Sequence, residues 1–201
     1  MAIYITRHGE TDWNKRRVLQ GTADIPLNEH GRKQAEALHH QLVEQGLQFT
    51  RIYCSPLDRA IETAVIATGV SREDLILDPR LREIEFGVLE GSRYELENPE
   101  IAAALPEQLS NFGLDPGRFV PAEGGESLQD VIRRTGSFWK DVLKTVSPEE
   151  KILIVSHGCA LHALLFNVMQ KSDFKEYWSP LFGNCELAEI RNTGIVPVLG
   201  S

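Results

Sequence analysis

Ile5–Asn14 reads ITRHGETDWN, and the residues that lead into it, Ala2–Ile5, form an apolar run. A short apolar run bounded by a glycine turn is the pattern of a buried strand. Here the strand ends by delivering Arg7 and His8 side by side, and Gly9 turns the chain at once. The arrangement recurs twice. The run 50–54 (TRIYC) ends in Ser55-Pro56 and leads into a helix with Arg59 in its first turn. The run 152–155 (ILIV) ends in Ser156-His157-Gly158 and leads into another helix. Strand, turn and helix in that order build a parallel α/β sheet, and such sheets bind ligands outside the carboxyl ends of their strands. Three crossovers therefore bring two arginines and two histidines to one edge.

Working outward, strands are expected at 75–78 (LILD), 185–190 (CELAEI) and 195–199 (IVPVL), the last at an edge because Pro197 lacks a ladder donor. Helices alternate with them. Over Arg32–Gly46, Ala35, Leu38, Leu42 and Val43 recur at helical spacing, with Gly31 just ahead and Gly46 as the stop. Over Leu57–Gly69, Leu57, Ala60, Ile61, Ala64, Val65 and Thr68 share a face, with Ser55 placed to cap and Pro56 suited to the first position. Over Ser127–Val146, Leu128, Val131, Ile132, Phe138, Val142, Leu143 and Val146 form a stripe, and Ala160–Met169 is apolar nearly all round. The expected fold is α/β: a three-layer αβα sandwich with a mostly parallel central sheet and helices on both faces. The stretch 88–125 is polar and broken by Pro99, Pro106, Pro116 and Pro121, and reads as a lid insertion over the C-terminal strand edge. With 201 residues, 42% of them hydrophobic, the chain supplies one core, so a single domain over 1–201 is expected.

Net charge is −8, with 25% of residues charged. That acidic balance argues against nucleic acid or a membrane surface as partner, and leaves room for a small anionic substrate in a locally basic pocket. No apolar stretch reaches the roughly 18 residues that span a bilayer, and the N-terminal run is too short for a signal peptide. Cys54, Cys159 and Cys185 are widely spaced, without a CxxC, as reduced buried thiols would be. A cytoplasmic location is expected. His30 is assigned to a polar loop and His39 and His40 to the exposed or boundary side of a helix, while His162 follows His157 by five residues, not the four that stack ligands on one helix face; without HExxH or a Cys/His cluster no metal and no cofactor are expected.

Two arginines, two histidines and the helix N-termini beside them suit a dianionic tetrahedral oxyanion, a phosphate. One histidine can attack phosphorus while the other stabilises the developing charge. A lone RHG carries little weight; the weight comes from the repeated strand-turn-helix context. Lys15-Arg16-Arg17 follows Asn14 at the mouth of this region, either as a contact to the rest of the substrate or as a solvated basic turn.

RHGETDWN (Arg7–Asn14) resembles the signature of the histidine phosphatase superfamily, the phosphoglycerate mutase-like proteins. LQGTADIPLNEHGRKQA (Leu19–Ala35), YCSPLDRAIETA (Tyr53–Ala64), LREIEFGVLEG (Leu81–Gly91), GGES (Gly124–Ser127) and IVSHG (Ile154–Gly158) follow in the family's order over almost the whole chain. Leu89 departs from the pattern, where many relatives carry tryptophan. The resemblance implies that His8 is the nucleophile, forming a phosphohistidine, with Arg7, Arg59 and His157 clamping the phosphoryl oxygens and Asn14 adding a polar contact. It also puts Gln20 and Gly21 among the substrate-binding residues. Glu83 would protonate the leaving alkoxide and then take a proton from water, a role its motif position favours over Glu85; a general acid among arginines needs burial or the arriving dianion to keep its proton.

The expected activity is a metal-independent phosphatase of small phosphomonoesters. The insertion has only Arg93 and Arg118 as bases against Glu90, Glu95, Glu97, Glu100, Glu107, Asp115 and Glu123, which suits a second phosphate poorly. A cofactor-dependent phosphoglycerate mutase is the alternative enzyme. A non-catalytic phosphate-binding or regulatory protein is the alternative of another class, opposed by the completeness of the site. The partner expected is a small phosphorylated metabolite, with a homodimer left open, and Arg93, Tyr94, Phe112, Arg118 and Phe119 are the residues expected to select among substrates.

Overall fold

The computed structural model of the chain describes every residue except Glu97, residues 180–181, 192–193 and 199–201, and only the backbone of Pro99 and Ala103. Among the described residues one sheet holds β1 (Ala2–Arg7), β2 (Arg51–Cys54), β3 (Ile76–Leu77), β4 (Lys151–Ser156), β5 (Leu187–Arg191) and β6 (Gly194–Pro197), in the order β3-β2-β4-β1-β5-β6. The helices are α1 (Asp12–Lys15), α2 (Glu29–Glu44), α3 (Asp58–Thr68), α4 (Pro99–Ala104), α5 (Glu107–Leu114), α6 (Leu128–Thr145) and α7 (Gly158–Val168).

The four strands β3, β2, β4 and β1 pair in parallel, while β5 and β6 join antiparallel. Only two residues separate β5 from β6, and a parallel return needs about a dozen. The sheet is therefore mixed, with its parallel half carrying the crossovers. Pro197 lies on the outermost strand, as its missing N–H requires. The expected strand over 195–199 is a strand up to Pro197, and position 199 lies outside the described residues.

The period of two along the central strands sorts the core into layers. Ile3, Ile5, Ile152 and Ile154 face Phe138 and Val142 of α6 and Leu161, Leu164 and Leu165 of α7. Tyr4, Leu153 and Val155 face Ala35, Leu38 and Leu42 of α2 and Ala60, Ile61 and Ala64 of α3. Two positions counted on the apolar stripes, Val43 and Leu143, are exposed on the outer faces.

Three local expectations change. α2 starts at Glu29, capped by Asn28, whose Oδ1 accepts the Gly31 N–H at 2.8 Å, so Gly31 sits inside the first turn. α3 starts at Asp58 without a side-chain cap, and Ser55 is used elsewhere. The insertion is not irregular: it holds α4 and α5, with Pro99 in the first turn of one and Pro106 just before the other, where a missing N–H costs nothing. Leu109, Phe112 and Phe119 of this segment pack on Leu128 and Val131 of α6 and on Ala160, Ala163 and Phe166 of α7. Its root is tied to the chain after α1: Leu19 N–H donates to Ser92 O at 2.9 Å, and Tyr94 N–H donates to Arg17 O at 2.7 Å. Glu97, counted among the acids of the insertion, lies outside the described residues.

Gly9 and Gly31 show why the turn after His8 needs glycine. A Cβ at Gly9 would lie 2.5 Å from Gly31 O, and one at Gly31 would lie 2.1 Å from Glu10 O. The turn and the first turn of α2 touch backbone to backbone. Gly31→Ala in an ordinary helix would gain up to about 1 kcal/mol. Here the clash reverses the sign, and we expect a loss of about 1–3 kcal/mol, as in an overpacked core, read as a lower urea midpoint.

Candidate active site

The carboxyl ends of β1, β2 and β4 lie side by side, because Arg7 pairs in register with Ser156 and Cys54 with Val155. His8 and His157 follow directly, with ring centroids 5.1 Å apart. His8 is 3% exposed and His157 and Arg59 have no exposed surface.

Each side chain is fixed by the chain around it. His8 Nδ1 lies 2.7 Å from Gly9 O. A carbonyl only accepts, so Nδ1 carries the hydrogen and Nε2 keeps the lone pair. Asn184 Nδ2 donates to His8 O at 2.7 Å, Cys185 N–H donates to Arg7 O at 3.0 Å, and Gly9 N–H donates to Thr63 Oγ1 at 3.0 Å. Cys185 reaches that bond at a φ of +58, in the left-handed region that non-glycine residues avoid. His157 Nε2 lies 2.7 Å from Ser55 Oγ, which also accepts the Leu57 N–H at 3.4 Å. In the tautomer in which the Ser55 hydroxyl donates to Nε2, the hydrogen of the His157 ring sits on Nδ1 and is available to a ligand.

Arg59 reaches from the first turn of α3 to the loop at 21–23, where Nη2 donates to Gly21 O at 2.7 Å and Nη1 to Ala23 O at 2.8 Å. Burial pulls Arg59 down to about 10, still protonated at neutral pH. After these bonds, Arg7 Nε, Arg59 Nε and His157 Nδ1 are buried and have no hydrogen-bond partner among the described residues. Buried donors are almost always satisfied. Three orphans on three neighbouring residues call for one multivalent acceptor.

Glu83 comes from the segment after β3. Its Oε1 accepts Ile84 N–H and Ala160 N–H at 3.0 Å each, and its Oε2 accepts Cys159 N–H at 3.1 Å. Cys159 and Ala160 belong to the first turn of α7, whose N-cap residue, His157, makes no capping bond. Glu83 caps the helix from outside, which frees the imidazole for the site. A Cβ at Gly158 would lie 3.6 Å from Glu83 Oε2 and 3.7 Å from Arg7 Cζ, so carboxylate and guanidinium flank the same helix start. Glu85 instead pairs with Arg82 at 3.3 Å.

Beside Arg7 opens a cavity of about 480 Å³, lined among others by Glu10, Asn14, Lys15, Arg17 and Tyr94. Asn14 Oδ1 accepts the Thr11 N–H at 3.2 Å, which leaves its Nδ2 donors for a ligand. Arg17 stands at a φ of +54, a second residue held in the left-handed region.

Over residues 3–199 the sequence matches the family described as the histidine phosphatase superfamily (branch 1). The chain belongs to that superfamily. It is 36% identical over 191 residues to a protein of Enterobacter sp. (strain 638) named "Probable phosphoglycerate mutase GpmB", covering 94% of this chain and 84% of that one. Among solved structures it resembles Bacillus stearothermophilus YhfR, at 32% identity and a TM-score of 0.79, over 98% of this chain and 95% of that one. It also resembles a mycobacterial glucosyl-3-phosphoglycerate phosphatase in complex with VO3, at 26% identity and a TM-score of 0.80, over 98% and 97% of the two chains.

Within this superfamily member, Arg7, His8, Arg59, Glu83 and His157 come together at one edge, with Asn14 in the adjoining cavity. Gln20 and Gly21 are close but engaged internally. Gln20 Oε1 accepts the Thr11 hydroxyl at 2.6 Å and its Nε2 donates to Ile25 O at 3.4 Å, while Gly21 N–H donates to Glu90. Of the insertion residues expected to select substrate, Tyr94 lines the cavity. Phe112 and Phe119 are core, packed edge to face at 5.0 Å: Phe112 lies on the apolar side of α5, and Phe119, in the extended chain after it, packs on the same cluster. Arg93 pairs with Glu95 and Arg118 with Glu107 at the surface. Two positions escaped the sequence reading. Ser55 looked like a helix cap and is the partner of His157. Arg134 looked like any helix residue, yet its guanidinium donates to Arg80 O and Arg82 O at 2.7 Å and to Glu83 O at 3.1 Å, fixing the turn that aims Glu83. An arginine with Glu126 eight residues before it was the available sign, since the two form an ion pair at 2.9 Å.

Burial, with Arg59 and Arg7 beside it, holds His8 well below the usual imidazole range, and burial with Arg59 and His8 does the same to His157. Both are neutral in the folded chain and take up protons on unfolding below about pH 6.5. The unfolded chain then binds more protons, so stability falls as pH drops below that value, by up to about 1.4 kcal/mol per pH unit for each histidine. Urea midpoints between pH 7 and pH 5 should fall less steeply in the His8→Asn/His157→Asn variant than in the wild type.

Proposed function

We propose that the protein hydrolyses small phosphomonoesters through a phosphohistidine on His8. The observation that carries this reading is the trio of partnerless buried groups, Arg7 Nε, Arg59 Nε and His157 Nδ1, next to an imidazole whose only free nitrogen is Nε2. Three phosphoryl oxygens would satisfy three donors, and bidentate arginines favour that ligand. His8 Nε2 attacks phosphorus as the bond to the alkoxide breaks, and Glu83 protonates the leaving oxygen. Water then attacks the phosphohistidine, Glu83 takes its proton, and inorganic phosphate leaves with His8 restored. Glu83 Oε2, with a single amide donor in the structure, is the oxygen that best suits the proton. Splitting one displacement into two lowers each barrier, and general acid-base help contributes typically ~10²–10⁴-fold.

The hydrolase reading is supported by the insertion, whose two bases in the sequence reading, Arg93 and Arg118, are each paired with a glutamate. A second reading, the mutase, draws on Lys15 and Arg17 in the cavity wall, which make no ion pair among the described residues and would receive another anionic group. The name of the Enterobacter relative, a probable phosphoglycerate mutase, belongs with this alternative.

Phosphate release from a panel of phosphomonoesters, with chelator present, is expected to vanish in His8→Ala, and glycerate 3-phosphate in the same panel is expected to be hydrolysed faster than isomerised. Isomerisation outrunning release would select the mutase, and silence in the wild type would favour a binding role. Lys15→Ala/Arg17→Ala is expected to raise KM by about 5- to 20-fold for substrates with a second anionic group, at up to about 1 kcal/mol per exposed charge contact. The KM of a substrate with a neutral tail should move by less than about twofold, because phosphate itself docks deeper.

A further inference from the structure

Glu90 stands at the root of the insertion, just after the single turn Gly87–Leu89. In the sequence it is one acid among many. In the structure its Oε1 accepts two backbone amides of a distant loop, Gly21 N–H at 2.8 Å and Ala23 N–H at 2.7 Å. The carbonyls of those same two residues accept both terminal nitrogens of Arg59. Gly21 and Ala23 are thus gripped from two sides, by a carboxylate on their N–H groups and by a guanidinium on their C=O groups. The loop is also pressed close: a Cβ at Gly21 would lie 2.4 Å from Ile84 O and 3.2 Å from Glu90 Oε2. Within the loop itself the Ile25 N–H also donates to Ala23 O, at 3.0 Å, and Arg59 Nε has no partner among the described residues.

We propose that Glu90 is a positioning residue: it fixes the Gly21 and Ala23 carbonyls that aim the Arg59 guanidinium, and so ties phosphate affinity to the seating of the insertion. This rests on the reading of Arg59 as a phosphate clamp. Glu90 touches no phosphate and acts through Arg59 alone. Loss of the carboxylate leaves two amides without acceptors, the loop relaxes toward water, and Arg59 loses the geometry of two charge-assisted bonds.

The test is the affinity for inorganic phosphate, read by 31P NMR titration, in wild type, Glu90→Ala, Glu90→Gln, Arg59→Ala and Glu90→Ala/Arg59→Ala. Glu90→Ala should weaken binding by about 10-fold, roughly one charge-assisted bond, and Arg59→Ala by more. Glu90→Gln keeps an acceptor oxygen and should recover binding to within about threefold of wild type. The double variant should bind no more weakly than Arg59→Ala, because a residue acting through Arg59 has nothing further to remove. Wild-type affinity in Glu90→Ala, or losses that add in full in the double variant, would overturn the inference while leaving the clamp intact. Arg59→Ala binding as tightly as wild type would instead bring down the clamp, and the inference with it. If Glu90→Ala does not fold, Glu90→Asp, whose shorter side chain cannot span both amides, should show the same loss, and wild-type affinity there would overturn the proposal.

Discussion

Arg59 has no exposed surface, and a guanidinium taken out of water costs several kcal/mol unless its N–H groups find acceptors. Much of the site architecture follows from meeting that requirement. The acceptors are carbonyls, so the loop at 21–23 must lie against the start of α3. The loop in turn exposes amides that need an anion, and Glu90 supplies it from the root of the insertion. What the described residues do not supply is a partner for Nε. The cation is held by neutral oxygens on one side and left wanting on the other, which is the condition for a site that prefers an incoming anion.

The same economy governs the start of α7. A helix N-terminus with no cap of its own attracts a negative group, and Glu83 fills the place from a separate segment. His157, at the cap position, is thereby free to face His8. One carboxylate both finishes a helix and stands next to an arginine of the site. Arg134 and the Ser156 hydroxyl, which donates to Leu81 O at 2.8 Å, hold the backbone of the turn that carries it. Glu83, Glu90 and Glu126 are acids placed in such supporting positions, while Glu10 is an acid in the wall of the cavity itself.

The sequence made the strand ends legible, because a strand followed by Arg-His-Gly or Ser-His-Gly leaves few other readings, and the family resemblance attached roles to them. Motif position separates Glu83 from Glu85, and in the structure Glu83 accepts backbone amides at the start of α7 while Glu85 pairs with Arg82. What stayed hidden is what depends on partners remote in the chain. Ser55 has the composition of a cap and only the fold reveals that β4 delivers His157 to it. Pro99 and Pro106 look like interruptions in the sequence, though proline opens helices as readily as it ends them. Phe112 and Phe119 look available for substrate because a polar stretch hides the amphipathic helix α5 and the apolar cluster that Phe119 joins after it. Gly31 was placed before its helix, since nothing local shows that Glu10 presses on it. Gln20 and Gly21 carry a motif whose donors and acceptors turn out to serve the loop itself.

The grip of Asn184 and Cys185 on the backbone of Arg7 and His8 bears on how the chain comes to exist. The Asn184 bond spans 176 positions and the Cys185 bond is of the same range, and β5 adds itself beside β1 only after everything between has been made. During synthesis the first strand leaves the ribosome long before its neighbours β4 and β5, so the signature near the N-terminus spends most of that time without the framework that aims it. Contacts of such long range are closed late and slowly. His8 is written first and positioned last, and a nascent chain stopped short of residue 184 carries the whole signature without the backbone hold that sets His8 in place.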